Sequence, residues 1–438
     1  MKGTFTDCPP VDHYETYGVP GEYYFRKDFW YRNSRGCPNP LRLACVHQSG
    51  SNGAIVSMMD AGGAPNSTEV DREWTRRRLV AVLTGLGGVA PFLRGRRSHD
   101  GSQITLRYTS HVPRSHGLFG KAFVPFSLLV ENETDGRIRF EPFMDRLLHG
   151  PLGGFKACVT GVTDYTHGYA TYQPGSFNLT HALQLPFLFS RPQVAALVAE
   201  ELYPKYLKDE YERLGVYLAH CDATSPYDII SIDPIETLED LRGKKVRVTG
   251  GLNEAVIREL GAIPVVMAAA ETYLAFQRGI VDAVALGVPD MAAYRLYEVG
   301  HYLTPVRLTV TVLQYCLNQK TFDGLPNDLQ RQMYALFRVR GQLAVQNYYG
   351  GPEADRALNR LRENGVEVLD LTESNVKDWR DAVAPLSERF LDEQEAQGRP
   401  ARALVSDMIE LGSAYENMTD VELMDHVRHH PVQGIIDL

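Results

Sequence analysis

A chain of 438 residues with 44% hydrophobic and 23% charged residues has the make-up of a globular protein of two or three domains, at about 100–200 residues each. A net charge of -9 speaks against a general nucleic-acid surface, and no apolar run reaches the roughly 18–20 residues needed to span a bilayer. Cys8, Cys37, Cys45, Cys158, Cys221 and Cys316 form no CxxC pair and no regular spacing, so they read as buried free thiols rather than a disulfide framework.

Residues 1–69 are rich in Pro, Gly, Tyr, Asn and Ser and carry no sustained period. They form an atypical extension. Thr75-Arg76-Arg77-Arg78-Leu79-Val80, followed by the apolar run Ala81 to Leu93, has the basic-then-apolar order of a secretion signal, and its arginines suggest the twin-arginine route. A short buried helix with a basic start is the alternative. Such a signal belongs near an N-terminus, which places the expected translation start at Met58, Met59 or a codon near Val70. Residues 70–100 are then the signal segment, although Gly88-Val89-Ala90 before Pro91 is a poor cleavage site.

From Ile104 the chain becomes regular. Ile104 to Thr109 alternates as a strand, Leu118 to Glu131 reads as a helix, and Arg137 to Glu141 as a strand after the Asp135-Gly136 turn. Val162-Thr163-Asp164 enters another strand. Pro192 to Leu214 is a long helical stretch, and Val216 to Ala219 a strand. Thr237-Leu238-Glu239-Asp240 is a capping box. Val246 and Val248 form a short strand, Asn253 to Gly261 a helix, Ile263 to Met267 a strand and Glu271 to Gly279 a helix. Val281 to Leu286 and Leu308 to Leu317 are β runs. Asp328 to Tyr348 is a long helix, and further helices fill the C-terminus. Strands alternating with helices predict an α/β fold with mostly parallel sheets.

Arg247 stands out within Lys244 to Gly251. It sits at the end of a strand, before two glycines and a helix start. Free N–H groups at a helix N-terminus and a guanidinium fork together suit a carboxylate. The same residues also fit a surface arginine at a strand end. No zinc set, Gly-x-Ser-x-Gly elbow or P-loop is present in the sequence, and the acidic residues are not paired for acid–base work. No enzyme is predicted, and no cofactor. His429-His430 reads as a solvated tail. Tyr273 and Phe276 have core spacing.

These blocks, in this order, resemble the solute receptors of tripartite ATP-independent periplasmic (TRAP) transporters, the DctP family. The resemblance runs from about residue 104 to 400. It is carried by Ile104 to His116, Tyr172 to Phe177 with Leu183 to Phe189, Ile235 to Val248, Glu271 to Asp282, and Tyr297 to Val299 with Thr321 to Pro326. It implies a two-lobed periplasmic-binding-protein-like (Venus-flytrap) fold with long C-terminal helices. Residues 101–226 would form the first part of lobe I and 227–305 the main part of lobe II. Residues 306–345 would hold a return strand and a lobe I helix, and 346–438 helices packing on both lobes. It further implies a periplasmic location, an organic-acid ligand and membrane permease partners. Arg247 matches the family's carboxylate-clamping arginine.

Other residues expected at the cleft are His111, Ser115, Tyr172, Tyr227, Asn253 and Gly287. His111 and Ser115 follow the first strand, where strand carboxyl ends face the crevice of an α/β sheet. Where many relatives carry ligand- or metal-holding groups, this chain has Ala285-Leu286-Gly287-Val288-Pro289, and Ala268-Ala269-Ala270 stands where some place a Phe. No metal is expected. The cleft should be wide and apolar, fitting a monocarboxylate with a bulky or apolar body rather than a small dicarboxylate. A periplasmic enzyme, or a sensor subunit on the same scaffold, is the alternative reading. The chain should be a monomer or a homodimer.

Overall fold

The computed structural model describes residues 103–173 and 175–435, together with the backbones of four short strands nearer the N-terminus. Those four, β1 (Glu15–Val19), β2 (Glu22–Arg26), β3 (Ala44–Gln48) and β4 (Ala54–Met58), form two antiparallel pairs within one compact unit, Met1–Trp74. The signal-like segment at 70–100, the start-site reading and the side chains of Cys8, Cys37 and Cys45 lie outside the described residues. Cys158, Cys221 and Cys316 are buried free thiols.

The second unit, Thr75–Leu438, contains two sheets. Lobe I is built on β5 (Ile104–Thr109), β6 (Ile138–Phe143), β7 (Tyr165–His167), β8 (Val216–Ala223) and β14 (Val312–Asn318), in the order β6-β5-β7-β14-β8. Lobe II is built on β9 (Tyr227–Ser231), β10 (Lys245–Val248), β11 (Ile263–Val266), β12 (Ala283–Gly287), β13 (Tyr302–Thr304) and β15 (Glu367–Val368), in the order β11-β10-β12-β9-β13-β15. The sheets are mixed: five strand pairs are parallel and four antiparallel, because one strand in each sheet runs against the rest, β14 in lobe I and β9 in lobe II.

The reason is topological. Most strands run toward the cleft and end there. The chain crosses from β8 directly into β9, and from β13 through 305–311 into β14. A strand that enters a lobe from the crossing must run away from it, against its neighbours.

The two crossings are bonded to each other. Thr224 N–H donates to the Thr311 carbonyl (2.9 Å), Tyr227 N–H to the Thr309 carbonyl (2.7 Å) and Leu308 N–H to the Tyr227 carbonyl (2.9 Å). A third crossing follows the helix Asn327–Ala344. It passes through the wide π turn Val345–Tyr349 into the helix Gly351–Glu363. Gly351 sits there at φ 56°, a left-handed angle that costs glycine little.

Helices cover both faces of the lobe I sheet. Phe126 and Val130 from the helix Val124–Glu133 pack with Tyr165 and Phe337 on one side. Val194 and Val198 from the helix Pro192–Leu202 pack with Val312, Cys316 and Met408 on the other. Lobe II closes around Ile229, Val246, Val284, Phe276 and the fully buried Trp379. The helix Glu373–Ala396 gives Trp379, Val383 and Leu386 to the lobe II core and Phe390 and Leu391 to the lobe I core. Its 24 residues reach about 36 Å at ~1.5 Å each, enough to brace both lobes.

Candidate ligand cleft

Arg247 is the third residue of β10. Its neighbours Val246 and Val248 enter the lobe II core. The arginine itself is fully buried. Its Nη2 and Nε donate to the Met267 carbonyl just past β11, at 2.8 and 3.2 Å, and its Nη1 to the Ala285 carbonyl of β12, at 3.4 Å. The guanidinium thus bridges the carboxyl ends of three adjacent strands. Among the described residues no carboxylate pairs with it. A buried charge held only by carbonyls is costly unless an anion completes it.

Three tyrosines surround this charge. Tyr172 comes from lobe I, Tyr227 opens β9, and Tyr294 follows the helix Val288–Ala293 of lobe II. Burial raises all three phenols and the Arg247 charge draws each back, leaving Tyr172 at about 12. A backbone dipole at Ala269 on lobe II also favours the ionised Tyr172 phenol. The three tyrosines give the wall around Arg247 aromatic faces with polar tips. Tyr227 is buried, with the Thr311 and Thr249 hydroxyls acting on its phenol in the same direction as Arg247.

His111 lies on the lobe I side, buried just past β5. Its Nδ1 is 3.1 Å from Nε2 of His167 at the end of β7. Its ring stands edge-on to Tyr169 and Tyr172, at 6.3 and 6.4 Å between centroids. Ser115 is exposed on the following turn and is not brought to this group. The adjacent residue His116 turns inward instead. Its Nε2 lies 3.4 Å from Asp290 Oδ1, and the same oxygen accepts from the Tyr348 hydroxyl at 2.8 Å. Asp290 begins a lobe II helix, while His116 and Tyr348 belong to lobe I segments, so this acid is committed to a contact across the cleft.

Asn253 and Gly287 have hinge surroundings. The Asn253 amide donates to the hydroxyls of Thr249 (2.9 Å) and Thr311 (3.1 Å), and its oxygen accepts from Thr309 (2.8 Å). Its hydrogen-bonding groups are spent on the second crossing. At Gly287, a Cβ would lie 3.2 Å from the Ser225 carbonyl, so glycine lets the end of β12 approach the first crossing.

Gly250 and Gly251 are likewise set by close approach. A Cβ on Gly250 would meet the Thr171 carbonyl at 2.5 Å, and one on Gly251 the Gln184 Oε1 at 2.8 Å. Gln184 is fully buried, and neither its Oε1 nor its Nε2, nor Thr171 Oγ1, has a partner among the described residues. Sequence reasoning missed Gln184, His167, Asp290 and Tyr294. His116 was within reach, since it closes the His-x-Pro-x-x-His loop that also holds Ser115.

Comparison with known proteins now bears on this geometry. The model of the family "Bacterial extracellular solute-binding protein, family 7", DctP, matches residues 109–394. A solute-binding protein of a Sulfitobacter species is 31% identical over 242 residues, 52% of this chain and 70% of that protein. The C4-dicarboxylate-binding periplasmic protein of Rhodobacter capsulatus is 25% identical over 321 residues, 72% of this chain and 94% of that protein. Among solved structures, a TRAP periplasmic solute-binding protein from Bordetella bronchiseptica with bound mandelate aligns at TM-score 0.66 and 24% identity, covering 71% of this chain and 99% of that one. One from Rhodoferax ferrireducens with copurified benzoate aligns at TM-score 0.67 and 18% identity, covering 72% and 99%. These two share the two-lobed fold.

Proposed function

Because this chain belongs to the DctP family of bacterial extracellular solute-binding proteins, a transport family rather than an enzyme family, we propose that it captures an organic monocarboxylate on Arg247 and hands it to a TRAP membrane permease. The receptor class and its periplasmic location follow from the family. The clamp, the ligand's single acid group and export by the twin-arginine route are the proposal.

One observation carries it: the buried Arg247 guanidinium donates to two carbonyls and has no anion among the described residues. A carboxylate would accept charge-assisted bonds worth on the order of 1.5–3 kcal/mol each. Closure of the lobes would then remove water and strengthen the attraction. Mandelate and benzoate, the acids held by the two similar structures, are monocarboxylates with an apolar body. The tyrosines around Arg247 suit such a body, offering flat faces with polar tips.

The test is a thermal-shift screen against organic acids, followed by calorimetry. At ligand 100 times Kd a binder adds about 2.7 kcal/mol. Arg247→Ala should weaken the best acid at least ~30-fold, since about 1.4 kcal/mol is tenfold. Unchanged affinity in that variant, or tight binding of C4-dicarboxylates, would refute the reading.

A further inference from the structure

We infer that His111 is a hydrogen-bond donor of fixed tautomer, and that the ligand carries a neutral acceptor oxygen, a hydroxyl or keto group, besides its carboxylate. This rests on Arg247 as the carboxylate anchor and adds what the opposite wall reads.

Proton accounting fixes the tautomers. The Pro151 carbonyl can only accept, and His167 Nε2 lies 3.1 Å from it. That nitrogen therefore carries the His167 proton. The same N–H faces His111 Nδ1 at 3.1 Å, so His111 Nδ1 is the acceptor. A neutral imidazole has one proton, and His111 must hold it on Nε2. His111 Nε2 has no partner among the described residues.

The adjacent groups are assigned in the same way, and the Thr166 oxygen then meets His149 Nε2 at 3.2 Å and His167 Nδ1 at 3.5 Å without a proton between them. His149 Nδ1 donates to the Gly150 carbonyl at 2.9 Å, leaving its Nε2 to accept from the Thr109 hydroxyl at 2.7 Å. The Thr166 hydroxyl gives its proton to the Thr109 carbonyl at 2.7 Å. Burial and mutual repulsion keep the three rings neutral: His167 is lowered to about 3, His111 well below its ordinary value, and His149 in the same direction.

The position of the ring gives the donor its use. His111 stands edge-on to Tyr172, whose phenol lies in the field of Arg247. A ligand held at Arg247 and packed on Tyr172 has its far side toward His111. A neutral donor suits a hydroxyl or keto oxygen. A second carboxylate would want a cation there, and Arg146, whose charge reaches His111, is exposed to solvent and screened.

Two measurements test this on the full chain. Nitrogen-15 NMR of the histidines should show His111 protonated at Nε2 from pH 5 to 8, and His167→Ala should release that tautomer. Protonation at Nδ1 in the wild type would overturn the inference. Calorimetry with mandelate against phenylacetate, and lactate against propionate, reads the selectivity. In at least one pair the hydroxylated acid should bind about tenfold more tightly, the worth of one hydrogen bond, and His111→Ala should erase the gap while sparing the desoxy acid. His111→Gln, which keeps an N–H donor, should restore part of it. An equal gap in wild type and His111→Ala, or no binding of either pair, overturns the inference. The Arg247 reading fails separately, if Arg247→Ala leaves all four acids unaffected.

Discussion

Arg247 and Arg340 are equally buried and differ in what the chain gives them. Arg340, in the lobe I core, faces Asp222 through Nη1 at 3.3 and 3.4 Å and lies over the Tyr315 ring at 5.4 Å. Asp222 also meets His220 Nδ1 at 3.2 Å. Nearby, Arg338 meets Glu200 at 3.4 Å and holds the carbonyls of Val427 and His430 at the C-terminal helix. Arg247 has carbonyls alone among the described residues. The core arginines have their counter-ions built in, so their charge serves the fold. On the proposed function, the cleft arginine takes its counter-ion from outside, and its charge serves binding.

The largest expected effect tests the first half of that contrast. Arg340→Ala strands Asp222 as a buried charge and should cost about 3–5 kcal/mol of unfolding free energy, read by chemical denaturation. A loss below about 1 kcal/mol would show that the core pair is not what holds this lobe. Arg247→Met tests the second half. With no internal carboxylate to strand, it should leave the unliganded melting temperature equal or raised, while costing roughly 2–5 kcal/mol in acid binding. A large fall in unliganded stability would erase the distinction between the two arginines.

Asp228 is the acidic counterpart, and pH exposes it. It lies buried at the crossing, accepts the Arg307 N–H at 2.9 Å, and burial lifts it from 3.8 to about 7 against the pull of Arg307. A carboxyl whose folded value is raised binds its proton more tightly when folded. Its stabilising contribution is therefore full below about 4 and lost as the pH rises through about 7. Asp228→Asn keeps an oxygen to accept from Arg307. It should match the wild type near pH 4 and exceed it near pH 8, as followed by melting temperature across pH. Parallel curves would mean that Asp228 does not titrate in this window.

Much of the fold was legible because amphipathic periods and turn residues are local. β5, β10 and β12 and the long helices lie near where alternation and capping place them. β9 was missed, since Tyr227-Asp228-Ile229-Ile230-Ser231 is buried throughout and has no polar face to reveal a period of two. Arg247 stood out because it ends a strand directly before two glycines and a helix start, all local features. Gln184, His167 and Asp290 gave no such signal, because their partners or neighbours are far away in sequence: Gly251, Pro151 with His111, and Tyr348 with His116. The choice of Ser115 over His116 missed by one residue, and in a turn one residue decides whether a side chain faces water or the cleft.

The smallest effect asks whether cleft groups contribute to closure rather than to folding. Tyr172 stands on lobe I, and its phenol feels the Arg247 charge of lobe II, so an acid held at Arg247 would have this hydroxyl within reach. Tyr172→Phe keeps the ring that packs beside His111 and removes the one bond the hydroxyl would give the acid. A single hydrogen bond contributes about 0.5–1.5 kcal/mol, so acid affinity should fall roughly 2- to 10-fold. The unliganded protein has no acid to bond, so its melting temperature should not move. Stopped-flow binding should show faster release with an unchanged association rate, because the bond forms after the ligand has entered. If stability and affinity fall together, the hydroxyl belongs with the core groups exemplified by Arg340, and the division between lobe core and cleft runs elsewhere.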